Sequence, residues 1–185
     1  MEHQVFKQHS FQQQSLKHSS FKDCTFENCD FTSSDLTSSH FQDCTLRGCN
    51  LSLVKLQGAR LQDITFHHCK FIGVNFCALD PMFLAVFFRH SLIETCNFSD
   101  VILKNAIFSH CIIRDTYFSG AKLVGADFSH ADLRGSTFHN TDLSKANFLG
   151  AINYAINPFT NKLLKARFSQ PEVFSLLDHL GIIIE

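Results

Sequence analysis

The sequence predicts an all-β solenoid, a square stack of about seven coils followed by a short C-terminal α-helix. Three observations carry that reading. Phe, Leu or Ile recurs at every fifth residue, a small residue recurs two places before most of them, and Phe is abundant (21 residues) while Trp is absent and Tyr occurs twice. A period of five suits neither common element: on an α-helix each step turns the large residue about 140°, and on a flat strand an odd step sends it to the opposite face. The chain must therefore turn once per unit. Four units then close a square coil of 20 residues that stacks on the next at about 4.8 Å, with the large and the small residue both pointing inward.

The repeat runs through fifteen consecutive units from Phe6 to Phe76 and, after a two-residue slip near residues 77–82, through fourteen more from Phe83 to Phe148. Stacked repeats bury a continuous core only against their neighbours, so 29 units make a single rod of seven coils and a little more, roughly 35 Å long at that spacing. Seven of the eight Cys (24, 29, 44, 49, 69, 96 and 111) fall at the small inward position, which reads as core thiols; Cys77 lies by the slip. No disulfide is expected, and no CxxC metal spacing occurs.

Units such as Ala126-Asp127-Phe128-Ser129-His130 and Ala131-Asp132-Leu133-Arg134-Gly135 resemble the pentapeptide-repeat family: a small residue, Asp or Asn, Leu or Phe, then two polar residues. That resemblance implies a right-handed quadrilateral β-helix over residues 1–153. It says little about function, because unrelated proteins share the scaffold.

Residues 154–185 read as a turn-rich linker, a helix and an apolar end. Ser169 and Glu172 are spaced as a capping box with Pro171 in the first turn, Val173, Phe174, Leu176, Leu177 and Leu180 form an apolar stripe, and Gly181 is a natural stop before Ile182-Ile183-Ile184. Such a helix either caps the last coil or, through Phe174, Leu177 and Leu180, joins a second copy in a homodimer. The Ile156-Asn157-Pro158 turn, Lys165-Ala166-Arg167-Phe168, Pro171-Glu172 and Leu180-Gly181-Ile182 resemble the tail of the Qnr quinolone-resistance and McbG microcin-immunity group. Membership would imply a non-enzymatic binder of type II DNA topoisomerase, gyrase or topoisomerase IV, that partly mimics DNA and shields the enzyme from a quinolone or peptide toxin. The alternative is an interaction scaffold for an unrelated protein. Residues 1–151 carry 14 acids against 13 bases, which departs from the strongly acidic surface that the mimicry argument needs.

Stacking places residue n over n + 20, so the surface is read in steps of twenty. Asp23, Asp43 and Asp63 form an acidic ladder, either a phosphate-like row or a solvated face screened by Lys22 and Arg60, and Asp115, Asp127, Asp132 and Asp142 a second acidic region. His68, His90, His110 and His130 form another ladder; four collinear His do not converge on a tetrahedral metal site, which leaves surface stacking or partner contact. Phe87, Leu92, Ile102, Ile107, Ile112 and Tyr117, with Met82, place apolar side chains where most units are polar. They form either a partner-binding belt or a surface covered from within.

The net charge of −1 gives no general basic field for direct nucleic-acid or anionic-membrane binding. The longest apolar run, seven residues from Met82 to Phe88, falls short of the roughly 20 needed to span a membrane, and MEHQVFKQHS has no signal pattern. A cytoplasmic location is expected. No catalytic constellation or Gly-rich phosphate loop stands apart from the repeat, so neither catalysis nor a cofactor is expected.

Overall fold

The computed structural model describes residues 1–82 and 84–182. Phe83, one of the repeat centres, and Ile183 and Ile184 of the apolar end lie outside the described residues.

The chain coils into a square β-solenoid of about eight turns. Face 1 carries a six-stranded parallel ladder of Val5–Lys7, Thr25–Glu27, Thr45–Arg47, Ile64–His67, Val86–Arg89 and Ile107–Ser109. It continues upward through the bridges Ile107 to Asp127 to Asn147 and ends on the pair Asn147–Phe148 with Arg167–Phe168. Face 2 carries Lys70–Ile72, Leu92–Glu94 and Ile112–Arg114, face 3 the pair Thr137–Phe138 with Ala155–Ile156, and face 4 Ser20–Lys22, His40–Gln42 and Arg60–Gln62. The strands are short because each unit has only three residues to spend before the next corner.

The interior explains the choice of Phe over Trp. Rings at the same inward position of successive coils stack at nearly the strand spacing: Phe88 on Phe108 at 5.2 Å, Phe108 on Phe128 at 4.9 Å and Phe128 on Phe148 at 5.0 Å, all within 11° of parallel. Neighbouring columns meet edge to face, as Phe108 does with Phe118 at 5.8 Å and 86°, so one flat ring satisfies both directions of packing. The small inward residue has its own task. The Cys44 thiol donates to the Phe21 and Gln42 carbonyls at 3.4 and 3.2 Å, and the Thr141 hydroxyl donates to Phe118 and His139 at 2.9 and 3.3 Å. Burial pushes the Cys44 thiol up to about 11 and that of Cys111 up to about 12, which keeps both neutral.

Register locates the slip. Arg60 Nε lies 2.8 Å from the Asp80 carboxylate, a step of 20, whereas Ile64 pairs with Val86, a step of 22. The two extra residues therefore sit between Asp80 and Ala85, on face 4 and slightly later than the repeat spacing suggests.

Two expectations about the C-terminal part are corrected. The solenoid does not stop at residue 153. Although the five-residue pattern lapses there, Ala155–Ile156 pairs with Thr137–Phe138 and Arg167–Phe168 pairs with Asn147–Phe148, which adds an eighth turn to the seven expected. That coil is compressed by two residues at Phe138 over Ile156 and recovers them by Asp142 over Lys162, where Asn161 donates to the Phe138 carbonyl at 3.0 Å and accepts from the Thr141 N–H at 3.0 Å. The terminal helix, Glu172–Leu180, is a 3-10 helix rather than an α-helix, and it has no side-chain cap. Ser169 does not cap it, because the helix starts at Glu172 with Pro171 at the cap position, and the Ser169 hydroxyl instead accepts from the Gly150 N–H at 2.9 Å in the coil below. The helix ends as expected at Gly181, which adopts φ 65°. Its Leu176 packs on the core and Ser175 lies 3.4 Å from the Tyr154 carbonyl, so one flank closes the stack. Among the described residues no helix is long and apolar enough to cross a membrane.

Candidate protein-binding surface

The corner residue of each unit, two places after the inward Phe or Leu, adopts a left-handed backbone conformation with φ between about 49° and 72° through most of the stack. Gly, Asn, Asp and His tolerate this region best among the residues available. That preference supplies a cause for both polar ladders that sequence spacing alone did not reveal. Asp23, Asp43 and Asp63, at φ 52°, 52° and 54°, stand on the edge between faces 4 and 1. His68, His90, His110 and His130, at φ 52°, 49°, 55° and 56°, stand on the edge between faces 1 and 2, where Gly48 precedes them and Gly150 follows.

The remaining acidic residues do not gather. Asp115 stands alone on the edge between faces 2 and 3, with Thr95 and Gly135 as its corner neighbours. Asp127, Asp132 and Asp142 lie on faces 1, 2 and 4, and each carboxylate accepts from the backbone N–H two residues on: Ser129 at 3.0 Å, Arg134 at 3.3 Å and Ser144 at 3.1 Å. Asp30, Asp35, Asn50 and Asn97 make the same bond, so this position is a turn-forming one before it is a charged one. The Asp142 carboxyl is held below its ordinary range by the Ser144 hydroxyl and N–H and by Lys162 and Lys122, against the opposing effect of its own burial.

The apolar belt winds around the rod rather than forming one patch. Ile102 lies on face 4 and Tyr117 on face 3, each 53% exposed, and among the described residues the C-terminal segment packs on the far end and covers neither. Phe87 is in register with Ile107 on face 1, and Leu92 with Ile112 on face 2. These two pairs flank the histidine edge. The Cys77 side of the slip, with Leu79, Pro81, Leu84, Val101 and Ile102, lines an open hollow of about 530 Å³. Among the described residues no group of three or more His, Cys, Asp or Glu could hold a metal ion.

The histidine edge is the most concentrated chemistry on the surface. Imidazole centroids are 5.2, 4.8 and 4.7 Å apart along His68, His90, His110 and His130, with interplanar angles of 21°, 16° and 12°. His67 joins from face 1, 4.9 Å from His68 and 5.5 Å from His90. Loss of hydration lowers the His67 and His90 imidazoles, and repulsion from neighbouring basic side chains lowers them further: His68, His90, Arg47 and Arg89 around His67, and His110, His68 and Arg89 around His90.

Residues 19–82 match the pentapeptide repeat region, and residues 111–150 match pentapeptide repeats in eight copies. The chain belongs to the pentapeptide-repeat proteins. No curated protein matches it. Among solved structures, the full-length plasmid-mediated fluoroquinolone resistance protein QnrB1 is 18% identical, with 98% of this chain and 99% of that one covered at a TM-score of 0.57. HetL, a pentapeptide-repeat protein involved in heterocyst differentiation regulation in the cyanobacterium Nostoc, is also 18% identical, with 90% and 84% covered at a TM-score of 0.61. At that identity the likeness is one of fold.

Proposed function

We propose that this pentapeptide-repeat protein is a non-enzymatic, protein-binding rod whose partner is a type II DNA topoisomerase, gyrase or topoisomerase IV, and that it shields the enzyme from a poison such as a quinolone or peptide toxin. The end-to-end likeness to the fluoroquinolone resistance protein QnrB1 carries the reading, and the outward chemistry of a rod with a filled core supports it. Charge mimicry of DNA has a small part in this proposal. The row Asp23, Asp43 and Asp63 spans two rungs of about 4.8 Å, roughly 10 Å, far less than one helical turn of DNA. Asp115, Asp127, Asp132 and Asp142 are spread over separate sides and do not lengthen it.

The assembly belongs to the same proposal. Leu176 covers the last coil while Phe174 and Leu180 remain 46% and 48% exposed, so the helix that caps the core also presents an apolar flank to a second copy. Phe174→Glu with Leu177→Glu should leave folded monomers. Wild type that sediments as a monomer at high concentration refutes the dimer.

A supercoiling assay with purified gyrase, with and without a quinolone, tests the function, and the absence of both inhibition and protection at micromolar protein would sink it. The likeness to HetL favours the alternative, a scaffold for an unrelated protein; a pull-down that lacks topoisomerase subunits but enriches another protein would support that reading.

A further inference from the structure

We propose that the edge between faces 1 and 2 is a docking ridge for an acidic protein segment that also carries apolar side chains. Arg47, His67 and Arg89 follow one another in register along face 1, the imidazoles of His68, His90, His110 and His130 crown the edge, and Lys70 adjoins it from face 2 in register with Leu92. Among the described residues Arg47, Lys70 and Arg89 make no ion pair, whereas Lys7, at the lower end of the same face 1 column, pairs with Glu27 at 2.9 Å. The middle coils thus present a run of cations without ion-pair partners, bounded below by Glu27 in register with Arg47 and above by Asp132 in the Lys70 column, whose carboxylates are engaged by Lys7 and Arg114.

Three features select a protein segment over a nucleic acid. The imidazoles stack on one another, so the faces of the inner rings are taken and only their edges are free to donate hydrogen bonds; bases have no aromatic platform to stack on there. The apolar pairs Phe87 with Ile107 and Leu92 with Ile112 run along both shoulders, where a phosphodiester chain has nothing to bury and a peptide has leucines or phenylalanines. The Asp23, Asp43 and Asp63 row bounds the other side of face 1 and repels a polyanion as wide as duplex DNA, while a single peptide strand stays clear of it. The ridge stands whether or not the partner is a topoisomerase.

Fluorescence anisotropy with a labelled synthetic peptide of alternating Glu and Leu, in parallel with a labelled single-stranded oligonucleotide, tests the proposal without any topoisomerase. The peptide is expected to bind more tightly than the oligonucleotide and to weaken with added salt. Arg47→Glu with Arg89→Glu should weaken it at least tenfold, and Leu92→Ser with Ile112→Ser several-fold, with circular dichroism melting confirming that each variant is folded. No peptide binding by wild type at hundreds of micromolar, equal binding by the folded Arg47→Glu and Arg89→Glu variant, or tighter binding of the oligonucleotide through these residues would each overturn the proposal.

Discussion

The interior columns and the outer edges come from the same five-residue unit, yet different forces choose their residues. Inside, a ring stacked near 5 Å above and below fixes both the size and the flatness of the side chain. On the edges a backbone angle near +50° narrows the choice to a few residue types, and charge then separates the acidic edge from the histidine edge. Packing thus dictates the core, whereas conformation restricts the edges and leaves their charge open to function.

The largest effect expected from this contrast is in the core. Phe108, wholly buried between Phe88 and Phe128, should cost about 3–5 kcal/mol on replacement by Ala, read as a fall in the denaturation midpoint. At the corner, His90→Val places a β-branched residue at φ 49° and should cost about 1–2 kcal/mol, whereas His90→Asn should stay within about 0.5 kcal/mol. Equal losses from Val and Asn would show that the ring stack, rather than the backbone, selects histidine. Asp43→Asn with Asp63→Asn keeps residues suited to φ 52° and 54° and should leave stability unchanged or slightly raised by relief of like-charge repulsion.

The smallest effect is in pH dependence. The folded His67 and His90 bind protons less readily than the unfolded chain, so their contribution to stability is complete above the ordinary histidine range near pH 6.5 and is lost as the pH falls below it. Asp35, Asp80 and Asp142 are lowered from 3.8; their contribution is present above that value and is lost only in stronger acid. A melting series from pH 7.5 to 5 should therefore show a shallow decline that His90→Asn reduces. A series flat from pH 7.5 to 5 contradicts the histidine assignment.

The coil was legible in the sequence because Phe, Leu and the inward Cys carry the period directly. The final coil was not: Tyr154 and Ile156 bury their side chains off the five-residue spacing, and only the register reveals that they complete a turn. The ladders were visible as charges, while the positive φ that selects Asp and His at those positions has no signature until the corner is recognised. Ser169 shows a further limit. A capping-box spacing says nothing about a hydroxyl already engaged by Gly150 in the preceding coil.

The central claim is that the edges of the rod carry binding and not the fold. Gyrase supercoiling in the presence of a quinolone, measured with wild type, with Asp43→Asn and Asp63→Asn, and with Arg47→Glu and Arg89→Glu, tests it most directly. The account predicts that wild type protects the enzyme, that Arg47→Glu with Arg89→Glu weakens protection and Asp43→Asn with Asp63→Asn weakens it less, and that each melting temperature stays within a few degrees of wild type; no protection by wild type would overturn the topoisomerase reading, and loss of protection only in step with loss of melting temperature would contradict the assignment of binding to the edges.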